Sequence, residues 1–267
     1  MPAGPATQEV GYRISDPELC RALESNQIEW LRHKAALPWA KVQDDGDVLR
    51  VFVDPGRGWP RNLVGHARFS SESAHQRVGE IVAAHLEHKV SWLLGPLTTP
   101  ADLGQHLRAH GLRCTARHVG MACELHMCPQ TSPCPDKIVI QLLDEPLSLV
   151  PLNTKLRQLR HQAHLLLART EPKQIWNFVA NCNGRPVGET TLFIGAGVAG
   201  IYDVTVLEEF RRRGIGTALL VASLNHAREL GLAIAILGAT SMGQGMYARV
   251  GFRKICQLSF WRRGKLR

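Results

Sequence analysis

Apolar and polar residues alternate with a period of two over Ile175–Cys182, Val187–Ile194 and Val198–Val206, and the period then lengthens to that of a helix over Gly214–Leu230. This predicts an antiparallel meander running into an amphipathic helix. Asn183-Gly184 suits the two-residue turn of the first hairpin, and the small residues Gly195-Ala196-Gly197 suit the second. A strand at Leu232–Leu237 follows the helix. An apolar helix around Leu156–Leu167, with Lys155, Arg157 and Arg160 interleaved among leucines, precedes the meander. The first half reads as a helix from about Asp16 to Ala36, strands at Asp47–Val53 and Asn62–Phe69, and a helix from about Ser71 to His88. A strand Ser91–Leu94, a helix after Pro96 and a last strand within Leu112–Leu125 complete it. Thr99 is expected to cap the helix after Pro96, with Pro100 first inside it, Asp102 as the capping-box acid and Gly111 as its stop. The three prolines of Cys128–Pro135 mark a linker.

Where Ile201–Val206 hands over to the helix stands Arg211-Arg212-Arg213-Gly214-Ile215-Gly216. The glycines remove side chains where a diphosphate would approach the backbone, and the N–H groups of the helix's first turn point at the same spot with the positive end of the dipole. Three adjacent cations there oppose the dipole at roughly 0.3–1 kcal/mol each unless an anion offsets them. A rival motif, Gly195-Ala196-Gly197-Val198-Ala199-Gly200, has the glycine spacing of a dinucleotide fingerprint. The residues after it alternate like a strand, where that fingerprint needs a helix, so it reads as a hairpin turn.

The R-x-x-G-x-G pattern of Arg211, Gly214 and Gly216, with a meander before it and a strand after its helix, resembles the pyrophosphate loop of the GNAT superfamily of acyl-CoA-dependent N-acyltransferases. Met246-Tyr247-Ala248-Arg249-Val250-Gly251-Phe252 is similar to the family's Y-x-x-x-G-F ending. The resemblance covers roughly residues 140 to 267. The first half repeats the back part of the same element order without the loop, having Ser70-Ser71-Glu72-Ser73 in its place, so the whole resembles a tandem GNAT protein with a degenerate N-terminal half. The implied fold class is α/β (α+β type): two GNAT-like domains, 1–130 and 131–267, each a mixed, mostly antiparallel sheet flanked by helices. No CoA is expected in the first domain, which is assigned to packing against, and partly walling, the acceptor cleft.

The resemblance implies acetyl-CoA as co-substrate, held by Val204, Thr205, Val206 and Leu207 along the strand and by Arg211, Arg212, Arg213, Gly214, Ile215, Gly216 and Thr217 at the loop. Val206 and Leu207 are expected to bind the pantetheine amides as a surrogate strand. Transfer to an amine needs a neutral nucleophile, a polarised thioester and a proton for the departing thiolate. Tyr247 is the candidate donor, since a free phenol titrates near about 10, close to an alkyl thiol. Asp203, which breaks an apolar alternation, is the candidate base, and Glu189 its reserve. Some members use ordered water instead. Gly200 stands where certain members carry a glutamate, which weighs against a direct base of their type.

The chain has 267 residues, 45% of them hydrophobic and 21% charged, as in a globular protein, and no apolar run of membrane-spanning length. Met1-Pro2-Ala3-Gly4-Pro5 lacks the organisation of a signal peptide, and a cytoplasmic location is expected. Seven cysteines form no even disulfide framework, and neither the spacing of Cys123, His126, Cys128 and Cys134 nor the His106/His110 pair is that of a usual metal module, so no metal is expected. A net charge of +9 raises nucleic acid as a partner, but the basic residues are spread along both halves without a recognition motif. Part of that charge suits a polyphosphate co-substrate, and the tail Trp261–Arg267 reads as solvated. The reading is an N-acetyltransferase acting on a primary amine of a small molecule or peptide, with neither nucleic acid nor membrane as partner. Its alternative is a non-catalytic acyl-CoA-binding sensor.

Overall fold

A computed structural model of the chain describes residues 16–53, 62–84, 90–135, 137–144 and 155–263. The elements are α1 (Asp16–Lys34), β1 (Ala40–Asp44), β2 (Leu49–Val53), β3 (Leu63–Gly65), α2 (Ala74–Ala84), β4 (Ser91–Leu94), α3 (Leu103–Ala109) and β5 (Leu112–Glu124) in the first half. The second half has β6 (Ile138–Leu143), α4 (Lys155–Ala168), β7 (Ile175–Cys182), β8 (Arg185–Gly195), β9 (Val198–Val206), α5 (Ile215–Glu229), β10 (Ile234–Ala239), α6 (Gln244–Val250) and β11 (Arg253–Arg263).

All described strands join one mixed sheet in the order β1-β2-β3-β4-β11-β5-β10-β9-β8-β7-β6. Only β3 with β4 and β9 with β10 run parallel. The two halves exchange their last strands: β11, at the end of the chain, pairs with β4, while β5, at the end of the first half, pairs with β10. The two exchanged strands also pair with each other. The sheet therefore continues through the point where the sequence changes halves.

Period-two alternation gives each face of this sheet to a different helix. On β10, Ala235 and Leu237 face α5 and pack with its Ile215, Leu219, Leu220 and Leu224. Ile234 and Ile236 face the other way and pack with Leu19 and Leu23 of α1. A helix of the first half thus lies across the sheet of the second. The first half's own core gathers Val78, Ile81, Leu103 and Leu107 of α2 and α3 with Trp92. Trp261 of β11 joins it and is only 6% exposed, so the start of the basic tail is buried in a core and not solvated.

Several expectations need correction. β1 and β6 are strands that the pattern did not signal. The expected strand Asn62–Phe69 stops at Gly65, because His66 takes φ 56°, outside the extended region. Thr99 does not cap α3. Its hydroxyl donates to Phe69 O, and the helix begins at Leu103 after Asp102. Residues 85–89 of the expected helix Ser71–His88, the N-terminal segment read for a signal peptide, and the side chains of Lys155, Arg157 and Arg160 lie outside the described residues. Both glycine turns are as expected: Asn183 and Gly184, then Ala196 and Gly197, all have positive φ, as a type I′ hairpin requires. No described helix is long and apolar enough to cross a membrane.

Candidate active site

The two parallel strands of the second half touch only at Ala199 with Ala235 and Gly200 with Ile236, and then diverge. A bulge explains the divergence. Glu189 pairs with Thr205 and Thr191 with Tyr202, so Asp203 and Val204 together oppose Thr190 alone, and Asp203 takes φ 54°. Beyond the bulge no described strand pairs with the edge of β9 turned toward β10. Polar backbone groups of successive residues point to opposite edges of a strand. Leu207 donates its N–H to Val187 O at 2.9 Å and accepts from Phe210 N at 2.9 Å, which takes it out of the expected surrogate strand. Val206 faces the gap instead, with its carbonyl accepting from Arg211 Nε at 3.1 Å.

At the end of β9 the chain turns through Gly214, which has φ 81° and opens α5. The first helical bond runs from Ala218 N to Gly214 O, so the N–H groups of Ile215, Gly216 and Thr217 precede any helical acceptor. No side chain caps them at Gly214. Side chains are crowded here: a Cβ on Gly214 would lie 3.2 Å from Pro133 O, and one on Gly216 3.1 Å from Met246 Sδ and 3.7 Å from Val206 Cγ2. The linker, the end of β9 and α6 therefore all close on the same turn. All three arginines are exposed. Arg211 is bonded to Val206 O, Arg213 to Glu209 O at 2.9 Å, and Arg213 also lies over the Phe210 ring. These bonds hold the charges near the loop without neutralising them.

Tyr247 lies on α6, one residue after the methionine that touches Gly216. Its ring packs edge-on to Phe252 at 6.0 Å and fills the space a side chain on Gly243 would take. Burial pushes its phenol up to about 12. It therefore stays protonated across the physiological range, and full proton transfer to a thiolate is harder than from a free phenol by about 3 kcal/mol. Asp203 is exposed in the bulge; burial, and after it the Asp203 charge, holds the neighbouring Tyr202 phenol above its usual value. Glu189 is half-buried on β8. The structure thus gathers Val206, Gly214, Gly216 and the start of α6 in mutual contact, while Asp203 stands in the bulge at the other end of this stretch of β9.

On the α1 face of the gap the first half supplies the wall. A side chain on Gly200 would come within 2.3 Å of Asn26 Oδ1, so a glutamate at this position is sterically excluded. Asn26 is fully buried. Its Nδ2 donates to Gly195 O at 2.9 Å and Val198 O at 3.2 Å, and its Oδ1 accepts from Tyr202 OH at 2.8 Å. Trp30 stacks on the Tyr202 ring at 5.2 Å, and Glu29 Oε2 accepts from Ala196 N at 2.7 Å. Past the last β9–β10 pair, Gly238 is exposed in the floor, and Gln27 of α1 and His118 of β5 both reach toward it. None of Asn26, Gln27 and His118 stands out in the sequence, because what brings them here is the packing of α1 and the strand exchange. Among the described residues no group of three or more His, Cys, Asp or Glu is placed to hold a metal ion.

In the first half the equivalent divergence follows the β3–β4 pairs Leu63/Ser91 and Val64/Trp92. There the chain fills the gap with itself: Thr99 N donates to Ala67 O and Phe69 N to Thr99 O, both at 3.1 Å.

Residues 139–252 match the profile of a family described as the acetyltransferase (GNAT) family. A mycothiol acetyltransferase of Propionibacterium freudenreichii subsp. shermanii is 36% identical over 97 residues, which are 34% of this chain and 28% of that protein. The alignment thus spans less than a third of that relative's length. Among solved structures, a GCN5-related N-acetyltransferase from Kribbella flavida superposes with a TM-score of 0.67 at 17% identity, covering 91% of this chain and 97% of that one. A tandem GNAT protein from the clavulanic acid biosynthesis pathway gives 0.59 at 13% identity, with 94% and 96% covered. These two likenesses concern the fold, which they extend over both halves. Together with the glycine turn at the head of α5 and the diverging β9 and β10, the match over residues 139–252 identifies that part of the chain as a domain of the GNAT acetyltransferase family.

Proposed function

We propose that the protein is an N-acetyltransferase that moves an acetyl group from acetyl-CoA to a primary amine of a small molecule or peptide. Acyl transfer from an acyl-CoA is the chemistry of the family; the acetyl group, the amine and a cytoplasmic setting are the proposal. The observation that carries it is the turn at Gly214–Thr217. Three N–H groups without helical acceptors, two glycines where side chains would be crowded and three exposed arginines, two of them held, suit a diphosphate, at the open end of two diverging strands. That a relative over 97 residues of the chain is a mycothiol acetyltransferase supports acetyl as the group moved.

In this reading Val206 offers its N–H to a pantetheine amide, the first turn of α5 neutralises phosphate charge, and Tyr247 donates a hydrogen bond to the departing sulfur. With its phenol near about 12, the tyrosine acts as a neutral donor at any working pH. The self-filled gap of the first half supports a single acyl-CoA site, in the domain we place at residues 131–267, beside a first domain at 1–130. The test is release of CoA thiol from acetyl-CoA over a panel of primary amines. Release by the wild type, slowed in Tyr247→Phe with acetyl-CoA binding retained, supports the enzyme. Tight binding with no release on any amine supports the sensor instead.

A further inference from the structure

The α1 face of the gap carries two polar groups, Gln27 and His118, turned toward one point. Gln27 Oε1 is buried and has no hydrogen-bond partner among the described residues, an arrangement that folded proteins avoid unless a ligand or water completes it. Gln27 Nε2 lies 4.0 Å, and His118 Nδ1 3.8 Å, from the single point where a side chain on Gly238 would begin, with the apolar Leu258 Cδ1 at 3.4 Å as the floor beneath them. Gly238 itself is exposed although Ile236, Leu237 and Ala239 around it are buried, so an opening reaches solvent at that point of the sheet. It sits two residues past the last β9–β10 pair, inside the divergence.

We infer that the point above Gly238 is the acceptor site, with the Gln27 amide beside the incoming amine and His118 taking its proton. This rests on the acyl-CoA reading above and adds the residues on the acceptor side, both contributed by the first half. The amine nitrogen bonds to the thioester carbon and the C–S bond breaks. One amine proton passes to His118 Nδ1 and on to solvent, while the departing thiolate, held by a hydrogen bond from the neutral Tyr247 phenol, takes up a proton from solvent.

The surroundings of His118 suit a neutral base. It stands on β5 with the Phe260 ring at 4.9 Å, and burial alone holds its imidazole below the usual value. Glu24, one turn before Gln27 on α1, is turned away to Arg68 Nη2 at 3.0 Å and to His66. The free thiol of Cys256 on β11 donates a hydrogen bond to the thiol of Cys20 on α1, and Gly238 brings no side chain. His118 is therefore neutral above a value under 6.5, and the rate should show an ionisation there, separate from the further rise at higher pH as the amine itself deprotonates.

The experiment compares wild type, His118→Asn and Gly238→Leu. Acetyl-CoA binding is measured by calorimetry, and the His118 imidazole resonance, assigned by its loss in His118→Asn, is followed by NMR as acetyl-CoA is added. Thiol release is then measured against pH with spermidine, tyramine and tri-alanine. The expected result is near-equal acetyl-CoA binding in all three proteins, a wild-type His118 resonance that moves with acetyl-CoA, and about 100-fold lower kcat/KM in His118→Asn with loss of the acidic limb. Gln27→Leu should raise KM for the amine about tenfold. With none of the three amines consumed, the resonance alone decides. A resonance that stays put in protein saturated with acetyl-CoA, or a His118→Asn profile equal to wild type, overturns the acceptor site and leaves the acyl-CoA reading standing. Absence of acetyl-CoA binding to wild type removes both.

Discussion

Asn26→Ala tests whether the first half is built into the second half's sheet. Asn26 is fully buried and makes three hydrogen bonds, to Gly195 O, Val198 O and Tyr202 OH. Gly195 and Val198 are the closing pair of the β8–β9 hairpin, so each carbonyl keeps its ladder bond and loses a second one. The tyrosine hydroxyl loses the acceptor it has. At about 0.5–1.5 kcal/mol for each bond lost, the three sum to roughly 2–4 kcal/mol. Tyr202→Phe removes only one of them and should cost about 1 kcal/mol. In the double variant the two effects should fall short of additive by about that bond, since the hydroxyl and the amide are coupled. Urea unfolding followed by circular dichroism measures all three, with the midpoint falling and the slope unchanged. A loss under about 1 kcal/mol for Asn26→Ala would refute the reasoning, because it would mean that water replaces Asn26 between α1 and the hairpin.

Tyr247→Phe should lower kcat by about 10²-fold while leaving acetyl-CoA affinity within twofold, read by thiol release and calorimetry on the same preparation. Arg228→Met should cost roughly 2–3 kcal/mol in urea, since its guanidinium bonds Leu125 O and Cys128 O and fastens the linker to α5. Stability should also depend on pH through His33, whose imidazole burial holds below its usual value. In the window from about 6.5 downward the unfolded chain binds the proton and the folded one does not, so stability falls as pH falls. His33→Gln should flatten that slope between pH 7 and 5, and an unchanged slope would contradict the assignment.

What could be read in advance follows from how local each cause is. β4, β7 and β9 match their expected bounds because alternation and turn residues are local signals, and the glycine turn at Gly214 is legible because its backbone φ and the crowding of a side chain there both favour glycine. β1 was not, since its only buried residue is Ala40 and its exposed positions break the period. β6 shows little alternation and sits behind a proline-rich linker. Thr99-Pro100 imitates a helix start, but Thr99 is drawn to Ala67 and Phe69 by a backbone pairing some thirty residues distant. The exchange of β5 and β11 leaves no mark in either strand, because a pleated strand packs equally well beside either neighbour. The consequence for function is direct. The residues expected at the nucleotide end share one short segment and were named. Those on the acceptor side come from α1 and β5, where Gln27 and His118 look like ordinary polar positions.

The central claim is that the head of α5 holds the diphosphate of acetyl-CoA. Calorimetric titration of acetyl-CoA into wild type and Gly214→Glu tests it most directly. A glutamate at Gly214 must adopt φ 81° beside Pro133 O and places a negative charge against the phosphates, so the account predicts saturable binding to the wild type and at least a 100-fold loss in a variant that remains folded by circular dichroism. Equal affinity in the two proteins, or no binding by the wild type, would contradict it.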